Sequence, residues 1–345
     1  MNINLFDYKL PERLIAQFPS RKRDQSRLMI LDRKSGEIEI HPFKHIVNYI
    51  NNGDVLVVNN TKVFKARLLG NRSTGAEVEI FLVRKITNDS SEIWEALARP
   101  SRRLKTDEEI LFPKYSVKLT EQLGGGRWRV EFKSKFQREK IISMFGHVPL
   151  PQYIKRDDIS SDIRRYQTVF ADSSKTGAVA APTAGFHFTK AVIDGLKNKG
   201  VKIVETTLHV GPGTFKPVQV DNIHNHYVDP EMAELSGEAC KILNQTRKSN
   251  KKIFAVGTTS VRNLESAVFT DNKIKPQCGL VDLYIKPGYK FKIVDHLITN
   301  FHLPKSSLLI LVSAFAGREK ILDAYQKAIE AEFRFYSYGD AMLIV

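Results

Sequence analysis

The chain has 345 residues, 42% of them apolar and 26% charged, enough to bury a large core, which excludes a disordered or fibrous chain and suggests two domains. Its 53 Lys and Arg against 38 Asp and Glu leave a formal charge of +15, an excess that draws polyanions and points to nucleic acid or another anionic surface, although general solubility accounts for it too. Cys240 and Cys278 lie too far apart for a disulfide framework or a cysteine zinc site, the longest apolar run (residues 308–316) is too short to cross a bilayer, and the N-terminus carries no apolar signal core, so a cytoplasmic location is expected.

Residues 13–34 carry seven Lys or Arg against two Asp, between a short helix expected at residues 11–17 and a strand at 27–32. This cluster belongs to a loop, where Arg21, Lys22, Arg23 and Arg27 can meet a phosphate backbone or simply face solvent. Residues 54–60, DVLVVNN, read as a buried strand. From about residue 61 the texture changes to short alternating segments, VFKARLLG, AEVEIFLV, EIWEALARP, EEILFP, YSVKLTEQL and RWRVEFKS. Turn material at residues 71–75, 88–91 and 124–126 separates them, which is the spacing of a β-barrel or sandwich. Gly124, Gly125 and Gly126 make a hairpin turn, since no helix follows to form a phosphate loop. Arg99, Arg102, Arg103 and Lys105 form a second basic cluster here.

After the proline-rich connection GHVPLPQYI (146–154), strands and helices alternate. Thr189 caps a helix that Gly200 ends, a strand covers 201–210, and further helix, strand and helix patterns cover 238–249, 252–256 and 259–268. A strand and loop at 296–304 precede the apolar helix 306–317, and residues 333–345 close the chain. The expected architecture is α/β. A larger, discontinuous α/β domain (residues 1–60 and 146–345) carries an inserted, smaller β-barrel domain (61–145).

Four times in this half a strand runs into a loop of Gly, Thr, Ser, Asn or His, at residues 182–187, 211–215, 257–262 and 299–304. In an α/β sheet such loops collect at the carboxyl edge of the strands, where ligands bind. No G-x-G-x-x-G follows a strand, and neither G-x-x-x-x-G-K-[ST] nor H-E-x-x-H occurs, so dinucleotide, ATP and zinc-protease chemistry lose ground. His187, His209 and His302 each stand at or just past a strand end, where a neutral imidazole serves as acid or base, or only as a structural hydrogen-bonder. His224, His226 and Asp229 have too loose a spacing for a firm metal site, and no metal is assigned. Thr258, Thr259, Ser260 and Arg262 combine a helix start with a guanidinium, which suits a small carboxylate, or a plain helix cap. Phe335, Tyr336 and Tyr338, beside Gly339 and Asp340, can stack on a base, face a cation, or pack in the core.

Several of these segments are long. YQTVFA (166–171), GAVAAPTAGFHFT (177–189), LHVGPGTFKPV (208–218), AVGTTSVRNLES (255–266), TNFHLPKSSLLILVSAFAG (299–317) and FRFYSYGDAML (333–343) closely resemble the S-adenosylmethionine:tRNA ribosyltransferase-isomerase family. So do LPERLIAQFPSRKRDQSRLMILDR (10–33), NNTKVFKARLLG (59–70) and GHVPLPQYI. The chain departs from the family at 224–229, HNHYVD, where a Met-His-Ser-Glu-like run is expected, and nothing is carried over there.

The resemblance implies transfer and isomerisation of the ribosyl part of S-adenosylmethionine onto 7-aminomethyl-7-deazaguanine at the tRNA wobble position. The products would be epoxyqueuosine in tRNA, adenine and methionine. S-adenosylmethionine is then a consumed substrate and no cofactor is needed. The partners are that tRNA and S-adenosylmethionine, with no membrane and a monomeric chain. His187 or His302 would be the base, Thr183, Gly185, Gly211, Gly213 and Thr214 would cradle the adenosine, and His209, Asn300, Tyr338 and Asp340 would also bind substrate. Thr258, Thr259, Ser260 and Arg262 would hold the methionine carboxylate. Arg21, Lys22, Arg23, Arg27, Arg102 and Arg103 would touch tRNA. The alternative is a methyltransferase using the same substrate on RNA, which would release S-adenosylhomocysteine instead of adenine. A non-catalytic RNA-binding protein would use the basic clusters and leave the neutral loops without a purpose.

Overall fold

The computed structural model describes residues 1–86, 92–215 and 217–345; the turn expected at 88–91 lies outside the described residues. The larger body is built on a nine-stranded sheet. Its centre is four mutually parallel strands in the order Lys202–Leu208, Val55–Asn59, Ile253–Val256 and His296–Asn300. On one side the sheet continues antiparallel through Glu231–Leu235 to Gln277–Val281. On the other, Ala341–Ile344 runs antiparallel to His296–Asn300 and parallel to Arg27–Leu31, which turns back into the edge strand Ile38–Pro42.

The central strands read as continuous apolar runs because both faces of the sheet are covered. Val55, Val57, Ile253, Ala255, Met342 and Ile344 point into a core shared with the helices Gly237–Lys248, Gly257–Ser266, Ser307–Ala316 and Arg318–Glu330. The alternate residues Leu56, Val58, Phe254, Val256, Ala341 and Leu343 face the helix Lys190–Asn198 and the 3-10 turn Phe43–Asn48. Each core-facing row buries several large side chains at roughly 1.5–3 kcal/mol apiece, so a one-residue slip of any strand would exchange the two cores.

The smaller body is a closed barrel of six antiparallel strands, Arg67–Asn71, Glu77–Lys85, Glu92–Arg99, Arg127–Phe132, Tyr115–Gly124 and Glu109–Phe112. Pairing of Asn71 with Leu111 closes it. Inward residues Val78, Ile80, Leu82, Trp128, Val130 and Phe132 alternate with outward ones and fill the interior. Closure depends on Gly70, where a Cβ would lie 2.8 Å from Ile110 Cγ2 and 2.9 Å from the Phe112 ring. The helix Lys135–Phe145 follows, and Gly146–His147 then pairs with Arg67 and Leu68, so the chain leaves and re-enters the larger body at one place.

One expected element is absent. The helix read at residues 11–17 is a 3-10 turn, Glu12–Leu14, because Ile15 leaves it to bridge Phe335. Arg156 Nε donates to the Gln17 carbonyl at 3.1 Å, Arg334 Nη1 to that of Phe18 at 3.3 Å and Arg165 Nη2 to that of Ser20 at 2.5 Å, pinning the basic loop to the body.

Candidate active site

A cleft opens at the carboxyl ends of the central strands. Its walls draw on three of the four loops singled out in the sequence, at Pro182 and Thr183, Gly257 to Thr259, and Thr299 to Leu303, and Val210, just before the loop 211–215, joins them. The helix Gly257–Ser266 starts directly from the strand, with no side-chain cap, so its first N–H groups and its positive dipole end lie at the floor. Gly257 permits the abrupt turn at φ +87°. No Asp, Glu, Lys or Arg occurs among the described lining residues. Tyr153 and Tyr336 supply aromatic surface, with ring centroids 4.7 Å apart.

Asn300 is the hub of the wall. Its Oδ1 accepts from Thr183 Oγ1 at 3.0 Å, and its Nδ2 donates to the Tyr336 carbonyl at 3.1 Å and to His187 Nε2 at 3.2 Å. His187 is therefore behind the wall, 3% exposed, with Nδ1 2.7 Å from Ser26 Oγ. Burial, helped by Arg334 and Arg23, pushes its pKa down to about 3. His302 lines the cleft itself. Its Nε2 is 2.8 Å from Thr299 Oγ1, its N–H donates to Tyr325 Oη at 2.9 Å and its carbonyl accepts from Tyr8. Burial holds its pKa at about 3 as well.

The remaining expected residues divide. Thr183, Thr258 and Thr259 line the cleft, whereas Ser260 turns its hydroxyl back onto the Val256 carbonyl at 2.8 Å. Gly185 is a packing position, where a Cβ would meet Thr168 at 2.7 Å. His209 is held by Thr61 Oγ1 at 2.7 Å, and Gly211 donates to Glu231 at 2.7 Å. Thr214 sits in the 3-10 turn Pro212–Phe215. Tyr338 lies outside the cleft, its hydroxyl 3.0 Å from Asp162 and its ring stacked on Phe186. Asp340 is a buried pin that accepts from the backbone of Arg27 at 2.9 Å and of Arg334 at 2.8 Å.

A second cavity adjoins the cleft through Leu308, which lines both. Arg262 and Gly213 line this one, with Tyr284, Glu231, Asp229 and Arg127. The sequence reading missed Glu231, Tyr284, Tyr153 and Arg127. The signal for Glu231 was its place just past the divergent 224–229 run; the other three have no local pattern. Arg127 belongs to the barrel and reaches Asp229 Oδ2 at 2.7 Å, so both bodies contribute to the cavity mouth. Among the described residues no three His, Cys, Asp or Glu side chains are grouped to hold a metal, His224, His226 and Asp229 included.

Of the six expected tRNA contacts, Arg21, Lys22, Arg102 and Arg103 are exposed. Arg23 and Arg27 are half-buried and engaged within the protein. Arg23 donates to the carbonyls of Phe186 at 3.2 Å and Gln167 at 2.8 Å. Arg27 is bound to Asp340 at 3.3 Å and to the Ala331 carbonyl at 2.6 Å, and packs 4.2 Å over the Phe333 ring.

A family model described as Queuosine biosynthesis protein matches residues 3–344. The chain is 46% identical over 344 residues to proteins named S-adenosylmethionine:tRNA ribosyltransferase-isomerase from Francisella tularensis subsp. novicida (strain U112) and subsp. mediasiatica (strain FSC147), covering 100% of each chain. Its fold is similar to the crystal structure of S-adenosylmethionine tRNA ribosyltransferase from Thermotoga maritima, with TM-score 0.56 and 36% identity, covering 99% of this chain and 100% of that one. These names overturn the methyltransferase alternative.

Proposed function

The chain belongs to the queuosine biosynthesis protein family, and from that premise we propose that it transfers the ribosyl group of S-adenosylmethionine onto tRNA and isomerises it there. The acceptor on this reading is the aminomethyl nitrogen of 7-aminomethyl-7-deazaguanine at the wobble position. The ribosyl carbons become the epoxycyclopentane of epoxyqueuosine, and adenine and methionine leave.

The observation that carries the reading is the neutrality of the cleft. S-adenosylmethionine has no phosphate to neutralise and one sulfonium to accommodate. Threonine hydroxyls and helix N–H groups suit a nucleoside, and the faces of Tyr153 and Tyr336 suit the cation. The sulfonium acidifies its C5′ hydrogens, so a positioned base can start the reaction. His302 is the cleft imidazole, and its low pKa keeps the ring unprotonated. Proton transfer sets an imidazolium beside an ylide, and that pairing offsets part of the desolvation that holds the ring neutral. His187 acts through Asn300 and is a positioning residue.

Arg21, Lys22, Arg102 and Arg103 hold the tRNA on this reading, and an anticodon-loop base is reached without opening a duplex. The enzyme works as a monomer in the cytoplasm, with no cofactor and no metal. Among the described residues no helix is long and apolar enough to cross a membrane.

The test is incubation with S-adenosylmethionine and tRNA carrying the aminomethyl precursor, then nucleoside digestion and mass analysis. The epoxide nucleoside should appear with one adenine per turnover. Its absence under varied conditions would overturn the proposal.

A further inference from the structure

The second cavity has a wall that is incomplete as it stands. Arg262 is 7% exposed; its Nη1 pairs with Glu231 and its Nε donates to the Leu283 carbonyl at 3.1 Å. Its Nη2 is buried with no hydrogen-bond partner, and so is the hydroxyl of Tyr284, which lines the same cavity. Burial pushes that hydroxyl up to a pKa of about 12, so it remains a donor at neutral pH. Two buried donors without acceptors are costly, and folded proteins rarely keep such a pair unless something accepts from them. A carboxylate has an oxygen for each.

The rest of the cavity extends the argument. Asp229 stands at the mouth with one oxygen on Arg127, leaving acceptor capacity for an ammonium group. Gly213 makes room for it, since a Cβ there would lie 2.7 Å from Asp229 Oδ2. Leu308 and Leu311 form an apolar side. Donors for a carboxylate, an acceptor for an ammonium and an aliphatic wall together match an α-amino acid with an unbranched apolar side chain. Thr259 and Arg262, three positions apart on one helix, face neighbouring spaces, so one ligand can span cleft and cavity.

We infer that the second cavity binds the aminocarboxypropyl end of S-adenosylmethionine before the reaction and the departing methionine after it, with Tyr284 joining Arg262, already expected there, on the carboxylate and Asp229 on the ammonium. This rests on the nucleoside reading of the cleft and assigns the half of the ligand that the cleft leaves over.

Equilibrium binding to the full-length protein tests it with three probes: S-adenosylmethionine, its decarboxylated form, and 5′-methylthioadenosine, which lacks the amino-acid end. The wild-type protein should prefer S-adenosylmethionine over the decarboxylated probe by about tenfold or more, the discrimination expected of hydrogen bonds to a charged group. Tyr284→Phe, which removes one oxygen atom, and Arg262→Lys should each reduce that preference about fivefold or more while 5′-methylthioadenosine binds as before. Asp229→Asn should weaken both amine-bearing probes alike. A wild-type protein indifferent to the carboxylate, or a preference that survives both substitutions, overturns the assignment. Failure of the wild-type protein to bind even 5′-methylthioadenosine is a separate result, which removes the nucleoside reading and this inference with it.

Discussion

Asn300 Nδ2 lies 3.2 Å from His187 Nε2, and this fixes the histidine's tautomer: Nε2 accepts, so Nδ1 carries the proton and donates to Ser26. A ring with both nitrogens engaged behind the wall has no lone pair left for a substrate. His187→Ala should lower stability by about 2–4 kcal/mol, because Asn300 and Ser26 lose buried partners, and chemical unfolding will read it. In folded protein, single-turnover adenine release should fall less than tenfold. His302→Ala should cost at least about a hundredfold in the same assay, the usual scale for a general base.

Both histidines also set how stability varies with pH. Each has a folded pKa near 3 against an ordinary value of 6.5, so between those values the unfolded chain binds more protons. Stability should be fully present above pH 6.5 and fall as pH drops toward 3, by at most about 1.4 kcal/mol per pH unit for each ring. His187→Gln should flatten part of that slope in unfolding curves taken from pH 7 to pH 4. An unchanged slope would contradict the burial argument.

The two kinds of arginine in the basic loop should separate by experiment. Arg21→Gln with Lys22→Gln should weaken tRNA binding and reduce the dependence of log K on log salt by about 0.7–0.9 per lost contact. Arg27→Gln should leave that slope alone and lower the unfolding midpoint, since its guanidinium holds Asp340 and the Ala331 carbonyl.

Gly70→Ala should strain the closure of the barrel, where the added methyl meets Ile110 and Phe112 below 3.0 Å. A loss of about 1–3 kcal/mol is expected from overpacking. 5′-Methylthioadenosine should still bind, because the described residues that line the cleft all belong to the larger body.

What was legible in the sequence follows from local physics. Strands such as Val55–Asn59, covered on both faces, announce themselves as apolar runs, and three of the glycine- and threonine-rich loops line the cleft. The choice between Tyr336 and Tyr338 was hidden. Tyr336 takes a left-handed φ of +70°, which breaks the alternation of the terminal segment and turns this tyrosine, and not Tyr338, to the cleft. Equally hidden was the Arg262–Glu231 pair, which joins side chains 31 residues apart across two elements. Within the charge run at 13–34 the division of roles was hidden for a related reason. A guanidinium that serves backbone carbonyls looks, in sequence, the same as one that waits for phosphate.

Arg127 is anchored in the barrel by Glu95 and touches Asp229 in the other body, at the rim of the amino-acid cavity. A large ligand that tilts the barrel must change this rim, and a small ligand seated behind it resists the tilt by the same free energy. Order of addition thus becomes a measurable property of one side-chain contact: preloading either substrate should alter the affinity for the other by an equal factor, and Arg127→Ala should abolish the difference.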